Sequence, residues 1–318
     1  MLKVKTALIP FGLTALLALA ISATAVAASN NGFDLSKSLI PIEEIYSGGP
    51  GKDGIPSIDQ PRFVSAEDAG FLRDKDRVIG VHRNGITKAY PIRILNWHEV
   101  VNDKFVDEAI LVTYCPLCGT GMVFSAQGSD IGLTFGVSGL LYNSDVLLYD
   151  RLTGSLWSQI LSKAVTGPLR GTTLVHLPSS HTTWREWRQR YPETLVLSRD
   201  TGFRRNYNQS PYLEYSRSGQ LMFPVAARNK AYRNKEMVLG VRVADTYKAY
   251  PFKELRKNGQ ARFDDEIAGK IFTIEWLKDD KTARALDEHG EQVPTVLAYW
   301  FAWFAFHPDT LIFKANTR

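Results

Sequence analysis

Cysteine is scarce in this sequence, because the 318-residue chain holds only Cys115 and Cys118. Two cysteines cannot form the disulfide framework of a small secreted scaffold, and a chain of this length can bury a core large enough to fold without one. Both cysteines belong to a single Cys-x-x-Cys motif. Such a motif is typical of a redox couple, a local disulfide or a metal site.

Several common functional signatures are also missing. The sequence has no phosphate-binding glycine loop, no Gly-x-Ser-x-Gly nucleophile elbow and no Cys-x-x-Cys-His motif for covalent haem. We therefore expect neither a nucleotide nor a covalent haem. The formal charge is only +5, with acidic and basic residues interspersed, so we expect no nucleic-acid partner. The sequence identifies no protein partner.

The N-terminus predicts export. Lys3 and Lys5 precede an almost wholly apolar run over residues 7–26, and Ala25-Val26-Ala27 supplies a small-x-small cleavage pattern. We expect residues 1–27 to be a signal peptide whose removal leaves no transmembrane span, which makes the mature protein periplasmic or secreted. A retained membrane anchor is the alternative, because the apolar run approaches the length that spans a bilayer.

An internal repeat organises the rest of the chain. Residues 78–95 and 238–255 align at an offset of 160 with eight identities, including Lys-Ala-Tyr-Pro, and a Trp-x-x-Trp block at Trp184 recurs at Trp300 with an offset of 116. We interpret residues 28–58 as an arm or linker and residues 199–218 as a connection. The repeat predicts a first unit over residues 59–198, which carries the cysteines, and a second unit over residues 219–318, which lacks them.

Local patterns predict an α+β fold. Residues 78–90 predict a hairpin that turns at Asn84-Gly85, and residues 92–101 predict a helix opened by Pro91. Residues 109–114 predict a strand that leads to the cysteines, and residues 182–191 predict a capped helix. We expect two pseudo-symmetric copies of a hairpin-helix-strand-helix unit, the first with an extra, mostly β segment.

One predicted helix stands out because it is apolar all round. Residues 298–307 contain no charged side chain, unlike the corresponding residues of the first unit. A helix that is apolar on every face must be buried on every face, so we expect residues 296–306 to form a central buried element. The alternative is an exposed stripe containing Phe301 and Phe304 that contacts a partner or a membrane surface.

The Cys-x-x-Cys motif is the best candidate site. Pro116 fixes one backbone angle and Gly119 permits a left-handed one, which is the geometry of a metal-binding knuckle. A catalytic dithiol normally opens a helix, whereas the residues after Cys118 predict a turn and a strand. A metal would need further ligands, and His98 is the best candidate, because the predicted helix that carries it directly precedes the cysteine strand. His82, His176 and His181 are weaker candidates.

A polar and aromatic stretch of the first unit could line a pocket beside the cysteines. Strand alternation places Ser155, Trp157 and Gln159 on one face. The candidate pocket residues are Asp145, Asp150, Arg151, Ser155, Trp157 and Gln159. A solvated strand face, with Asp150 and Arg151 as an ordinary ion pair, is the alternative.

These motifs together resemble a known family. The runs Asn96-Trp97-His98-Glu99, Tyr114-Cys115-Pro116-Leu117-Cys118-Gly119 and Ser155-Leu156-Trp157-Ser158-Gln159 closely resemble the domain of unknown function 3179 family. The resemblance covers most of the chain, from about Ile58 to its end. It implies an exported bacterial or archaeal protein with the cysteine motif and the Ser-x-Trp-Ser-Gln segment as hallmarks, and it implies no activity.

Three functions remain open from the sequence. The leading hypothesis is an exported metal-thiolate protein that binds copper or zinc through Cys115, Cys118 and His98, either as a binding module or as a metalloenzyme of unknown substrate. The second is a periplasmic dithiol-disulfide oxidoreductase, with Cys115 as nucleophile and Cys118 as resolving thiol. The third is a structural or interaction protein with a local disulfide.

Overall fold

The computed structural model describes residues 30–127 and 132–315. The predicted signal peptide, residues 1–27, lies outside the described residues and stays a prediction. In chain order the elements are a 3-10 helix (Ile42–Glu44), β1 (Ile45–Ser47), β2 (Phe63–Val64), β3 (Arg77–Arg83), β4 (Ile86–Pro91), α1 (Ile92–Leu95), β5 (Val100–Phe105), β6 (Glu108–Cys115), β7 (Thr120–Ser125), β8 (Phe135–Tyr142), β9 (Asp145–Asp150), β10 (Leu156–Ser158), β11 (Lys163–Ala164), β12 (Val175–Leu177), β13 (Ser180–Thr183), α2 (Trp184–Arg190), β14 (Leu195–Leu197), α3 (Leu213–Arg217), β15 (Met237–Val243), β16 (Thr246–Pro251), α4 (Phe252–Asn258), β17 (Arg262–Ile267), β18 (Lys270–Leu277), β19 (Thr282–Leu286), β20 (Val296–Tyr299), α5 (Trp300–Phe306) and β21 (Leu311–Ile312).

The predicted α+β class is wrong, because the structure is 39% strand and only 12% helix. The pattern over residues 92–101 shows why the helical content was overestimated. Instead of ten helical residues, α1 ends at Leu95, and Glu99 adopts a left-handed φ of 58°. β5 then begins at Val100, so the apolar residues that suggested a longer helix belong to a sheet. The molecule is β-rich with several sheets and is not built from two hairpin-helix-strand-helix units.

The largest sheet passes through both units. Its strand order is β21-β16-β15-β20-β7-β6-β5, with β12 also paired to β7. β20 pairs with β15 of its own unit and, through Leu297 opposite Gly121, with β7 of the first unit. The other sheets of the described chain have the orders β1-β8-β9-β10-β11, β13-β3-β4-β14-β2 and β17-β18-β19.

The repeated tryptophan block packs in the same way in both units. The indole of Trp187 lies against Gly80, where an added Cβ would come within 2.2 Å of the ring. Trp303 lies against Gly240 in the same way, and an added Cβ there would come within 2.0 Å of its ring. Each indole N–H also donates to a threonine farther along the block: Trp187 to Thr194 at 2.9 Å and Trp303 to Thr310 at 3.0 Å. Glycine is therefore needed on both strands, because any side chain there would displace the indole.

The repeated Lys-Ala-Tyr-Pro block has a structural role as well. Lys88 and Tyr90 are two residues apart on β4, so their side chains lie on the same face of the strand. Both side chains donate to the carboxylate of Asp103, at 2.8 and 2.5 Å. In the second unit Lys248 and Tyr250 bond Asp265 at 2.6 and 2.8 Å. The two units thus tie this hairpin to the following strand with the same three residue types.

The apolar segment over residues 296–306 is buried, as predicted, although its first residues form β20 and not helix. Trp300, Phe301, Ala302 and Trp303 are each at most 2% exposed. Phe304 is half-buried. Across the residues that the structure describes, no helix has both the length and the apolar character that crossing a bilayer requires.

The N-terminal arm packs on the first unit. β1 pairs with β8 along Ile45–Ser47, and Ile58 forms a bridge with Val101. Phe33, Ile40 and Ile45 are buried in a cluster with side chains of β8 and β9. The described part of the arm therefore contributes to the core.

We expect Gly240→Ala to destabilise the protein by about 2 kcal/mol, because the added methyl group would meet the Trp303 ring and overpacking a core costs about 1–3 kcal/mol. Urea unfolding measures this loss. Gly70→Ala is the matched control, since a Cβ at Gly70 meets nothing within 4 Å, and we expect a change within about 0.5 kcal/mol. Equally small effects would show that the indole moves aside freely.

A second prediction concerns acid stability. The His307 ring stacks on Tyr247, with centroids 3.9 Å apart, and burial together with the Arg242 charge lowers the pKa of His307 to about 3. An unfolded histidine titrates near pH 6.5, so the folded chain resists protonation and its stability falls as the pH drops from about 6.5 towards 3. We expect His307→Phe to lose less stability as the pH drops, because the variant has no imidazole to protonate. The slope of its unfolding free energy against pH should be smaller by up to about 1.4 kcal/mol per pH unit.

Urea unfolding of both proteins between pH 4.5 and 6.5 measures the slope. His289→Phe is the control, because the His289 side chain is 77% exposed and its replacement should leave the slope unchanged. An unaltered slope in His307→Phe would contradict the assignment.

Candidate metal centre

The two cysteines lie on a tight turn between paired strands. Cys115 ends β6 and pairs with Thr120, the first residue of β7, and Gly119 adopts the left-handed φ of 62° that closes the turn. The second unit holds this turn in place, because the Tyr299 backbone N–H donates to the Cys118 carbonyl at 2.8 Å. Both cysteines are free thiols, exposed by only 1% and 0%.

A second hairpin turn faces the thiols. Asn143 and Ser144 join β8 to β9 with left-handed φ values of 51° and 63°, the pattern of a two-residue primed turn. This turn aims the Ser144 carbonyl at the cysteines, and the Cys118 and Cys115 thiols donate to it with sulfur-oxygen distances of 3.3 and 3.7 Å. Asp145, which begins β9, is thereby placed beside both sulfurs.

Cys115, Cys118 and Asp145 form a group that could hold a metal ion. One ligand atom from each residue lies within 4.8 Å of the others, and all three residues are buried. Asp145 Oδ2 accepts from the Ile160 backbone N–H at 3.1 Å, whereas Oδ1 has no hydrogen-bond partner within the described part of the chain. A buried carboxylate oxygen without a partner is costly, and a cation beside it would remove that cost.

The environment of the group keeps protons on it. Burial raises the pKa of Cys115 and Cys118, although hydrogen bonds from the Cys118 thiol and, less strongly, from the Cys118 backbone N–H oppose the rise at Cys115. Burial also raises the pKa of Asp145 to about 7. A metal that binds here must therefore displace protons from both thiols and compete with the proton on the carboxyl.

The Glu99 carboxyl is also buried close to Asp145. Burial raises the pKa of Glu99 to about 8, and the Asp145 charge adds to this rise, whereas a hydrogen bond from the Tyr212 hydroxyl opposes it. Tyr212 is 3.3 Å from Glu99 Oε1. Residue patterns do not single out Glu99 as a site residue, because its position depends on where α1 ends and on the left-handed turn at Glu99 itself.

The chain between the units covers the centre, and we name residues 207–226 the strap. Tyrosine hydroxyls and backbone groups of the strap bond directly to residues of the two turns and to Glu99. These bonds join Tyr212 to Glu99, Tyr215 to the Leu117 carbonyl, Ser144 to the Phe223 carbonyl, and the Ala226 N–H to Asn143. Lys235 anchors the strap in turn, because its ammonium donates to the Tyr215 and Ser218 carbonyls.

The structure places His98 in a different environment from the one predicted. Its Nδ1 lies 2.7 Å from the Pro56 carbonyl and its Nε2 lies 2.7 Å from the Tyr207 hydroxyl, so both ring nitrogens are engaged. His98 is not part of the group that contains the thiols. The physical reason is that α1 ends at Leu95, and the turn that follows directs the ring towards Pro56. Asp145, predicted as a pocket residue, takes the position expected of His98.

The other predicted pocket residues bond to different partners. Asp150 accepts hydrogen bonds from the Trp157 indole and from Thr153, and Ser155 bonds the same threonine, so these residues close a buried turn. Arg151 pairs with Asp59 at 2.9 Å on the surface. Gln159 lies over the strands that carry the cysteines, where its amide donates to Thr113 at 2.7 Å.

The weaker histidine candidates are also apart from the group that contains the thiols. His82 packs on Tyr191, His181 lies on β13 beside Tyr114, and His176 lies on β12 beside Phe124. No residue pattern predicts that the strap tyrosines cover the site. Apart from α3 the strap has no regular structure, and it reaches the cysteines only through the fold.

Comparison with known proteins identifies the family of this chain. A family model described as "Protein of unknown function (DUF3179)" matches residues 52–310, a range that contains the whole candidate centre. No curated protein and no solved structure matches the chain significantly.

We expect the two thiols to react slowly with a disulfide reagent until the strap opens. Lys235→Ala removes the ammonium that anchors the strap, and we expect it to raise the rate of thiol modification by about tenfold, as a loss of about 1.4 kcal/mol of closure would. Lys230→Ala, an exposed residue near the same segment, is the matched control. Equal rates in both variants, with unchanged melting temperatures, would show that the strap does not limit access.

Proposed function

Because the chain belongs to DUF3179, a family of proteins of unknown function, we propose its function from the buried centre: it binds a zinc ion through Cys115, Cys118 and Asp145. One observation carries the proposal. Asp145 Oδ1 is buried beside two thiols, and it has no hydrogen-bond partner among the described residues. A bound cation supplies the missing partner and compensates the charges of two thiolates and a carboxylate.

The mixed ligand set favours zinc over copper. Zinc accepts both thiolate sulfur and carboxylate oxygen, whereas Cu(I) selects soft sulfur ligands. The Cys-x-x-Cys turn, with a backbone N–H directed at the first sulfur, supports two adjacent thiolates on one ion. The carboxylate then makes zinc the better match.

The cover over the centre supports binding more than catalysis. The strap tyrosines and the second unit enclose the group, so a substrate has no open route to the ion without strap movement. We therefore propose a metal-binding protein that retains its ion, and from the N-terminal pattern we propose that it does so after export.

A dithiol oxidoreductase is less well supported. The attacking species in thiol exchange is the thiolate, and reactive cysteines have a lowered pKa and an accessible sulfur. Here burial raises the pKa of both cysteines, and both are covered. Both features oppose rapid exchange with a second protein.

Metal titration tests the proposal. Reduced, metal-free protein is titrated with zinc in competition with a chromophoric chelator, and we expect one equivalent to bind. Asp145→Asn and Cys115→Ser should weaken binding by at least tenfold, because each removes one of three ligands. His98→Gln is the matched control and should change affinity by less than about twofold.

Two outcomes would overturn the proposed site, in which Cys115, Cys118 and Asp145 hold a zinc ion. The first is an unchanged affinity in Asp145→Asn together with a loss in His98→Gln, which would restore the histidine ligand. The second is the absence of zinc binding combined with ready oxidation of both thiols to a disulfide, which would favour the redox function. Circular dichroism of each variant separates loss of ligand from loss of fold.

A further inference from the structure

A large cavity lies where the second unit meets the segment around β11 and β12. Its volume is about 980 Å³. Small-molecule sites usually measure about 300–1,000 Å³, so the cavity has the size of a site for a complete organic ligand. Much of its wall is aliphatic, including Leu161, Leu174, Val293 and Val296.

Aromatic rings form one wall of this cavity. Trp303, Tyr247 and His307 all line it, and Tyr247 stacks on His307 with an interplanar angle of 15°. Gly240, which also lines the cavity, lets the Trp303 indole lie close to its strand. A flat aromatic surface of this kind suits a ligand that contains a ring.

One of the side chains that line the cavity, His176, carries a buried polar atom that lacks a partner. His176 Nε2 is buried and has no hydrogen-bond partner among residues 30–127 and 132–315. Burial lowers the pKa of His176 to about 4, so the ring is neutral near pH 7. A buried neutral imidazole nitrogen is normally paired, and a ligand in the cavity can provide that pairing.

The charged groups of the wall are already engaged or face solvent. Arg242 donates to the Ala244 carbonyl, and Asp287 accepts from backbone N–H groups of its own turn at His289 and Glu291. Lys270 is exposed. The interior thus offers mainly aliphatic and aromatic surface, and among the described residues that line it His176 Nε2 is the only buried side-chain nitrogen or oxygen without a hydrogen-bond partner.

We propose that this cavity binds a neutral, mainly apolar compound that contains a ring and exchanges one hydrogen bond with His176 Nε2. Such a ligand lies next to the candidate metal centre, because Met122 and Ile160 line the cavity and the Ile160 N–H bonds Asp145. The proposal does not depend on metal binding, since none of the ligand groups of the centre lines the cavity.

The test uses N-phenyl-1-naphthylamine, a neutral fluorescent molecule with aromatic rings and a single N–H. We expect saturable binding of one molecule to the full mature chain. His176→Phe keeps a ring against Phe124 but removes the nitrogen, and it should weaken binding by about tenfold. Val293→Trp should abolish binding by filling the cavity.

Controls separate the cavity from other apolar surfaces. His82→Phe changes a histidine outside the cavity and should leave the affinity unaltered. The anionic dye 8-anilinonaphthalene-1-sulfonate should bind at least tenfold more weakly than the neutral dye. Absence of saturable binding, binding that neither His176→Phe nor Val293→Trp affects, or a preference for the anionic dye would overturn the proposal.

Discussion

The pairing of β20 with β7 is the constraint on which the rest of the molecule depends. Through Leu297 opposite Gly121, and through the hydrogen bond from Tyr299 to the Cys118 carbonyl, a strand of the second unit continues the sheet of the first. This pairing places the fully apolar α5 inside the molecule. It also sets the cysteine turn against the second unit and leaves the cavity beside Val296 between them.

The candidate metal centre is a group of ionisable side chains that lie close together in an apolar interior. Two thiols and two carboxyls, those of Cys115, Cys118, Asp145 and Glu99, lie where water does not reach them. Low polarity makes each negative charge costly, so burial raises the pKa of each group and favours its protonated form. The same low polarity strengthens the attraction to a cation once one enters, so protonation and metal occupancy are alternative ways to satisfy the site.

The sequence predicts what is local and misses what depends on the fold. The cysteine turn with Gly119, the strand after it and the buried apolar segment all follow from short-range patterns, and the structure has them. The closeness of His98 to the cysteines in the sequence predicts a ligand, but the turn after α1 directs its ring towards Pro56 and Tyr207. Asp145 reaches the thiols only because the β8–β9 hairpin folds over the cysteine turn, which no spacing rule reveals. The overestimate of helix has the same origin, since sheet pairing overrides a helical pattern.

The order of these parts along the chain determines the order in which they are synthesised. The cysteines and Asp145 precede the strap, and the strap precedes β20 and α5, so a chain made from its N-terminus completes the ligands before it makes their cover. Until the second unit docks, the thiols stand open to whatever ions surround the nascent protein. For the zinc site that we propose, the compartment in which folding finishes would then act together with the affinity of the finished site in selecting the ion that is enclosed.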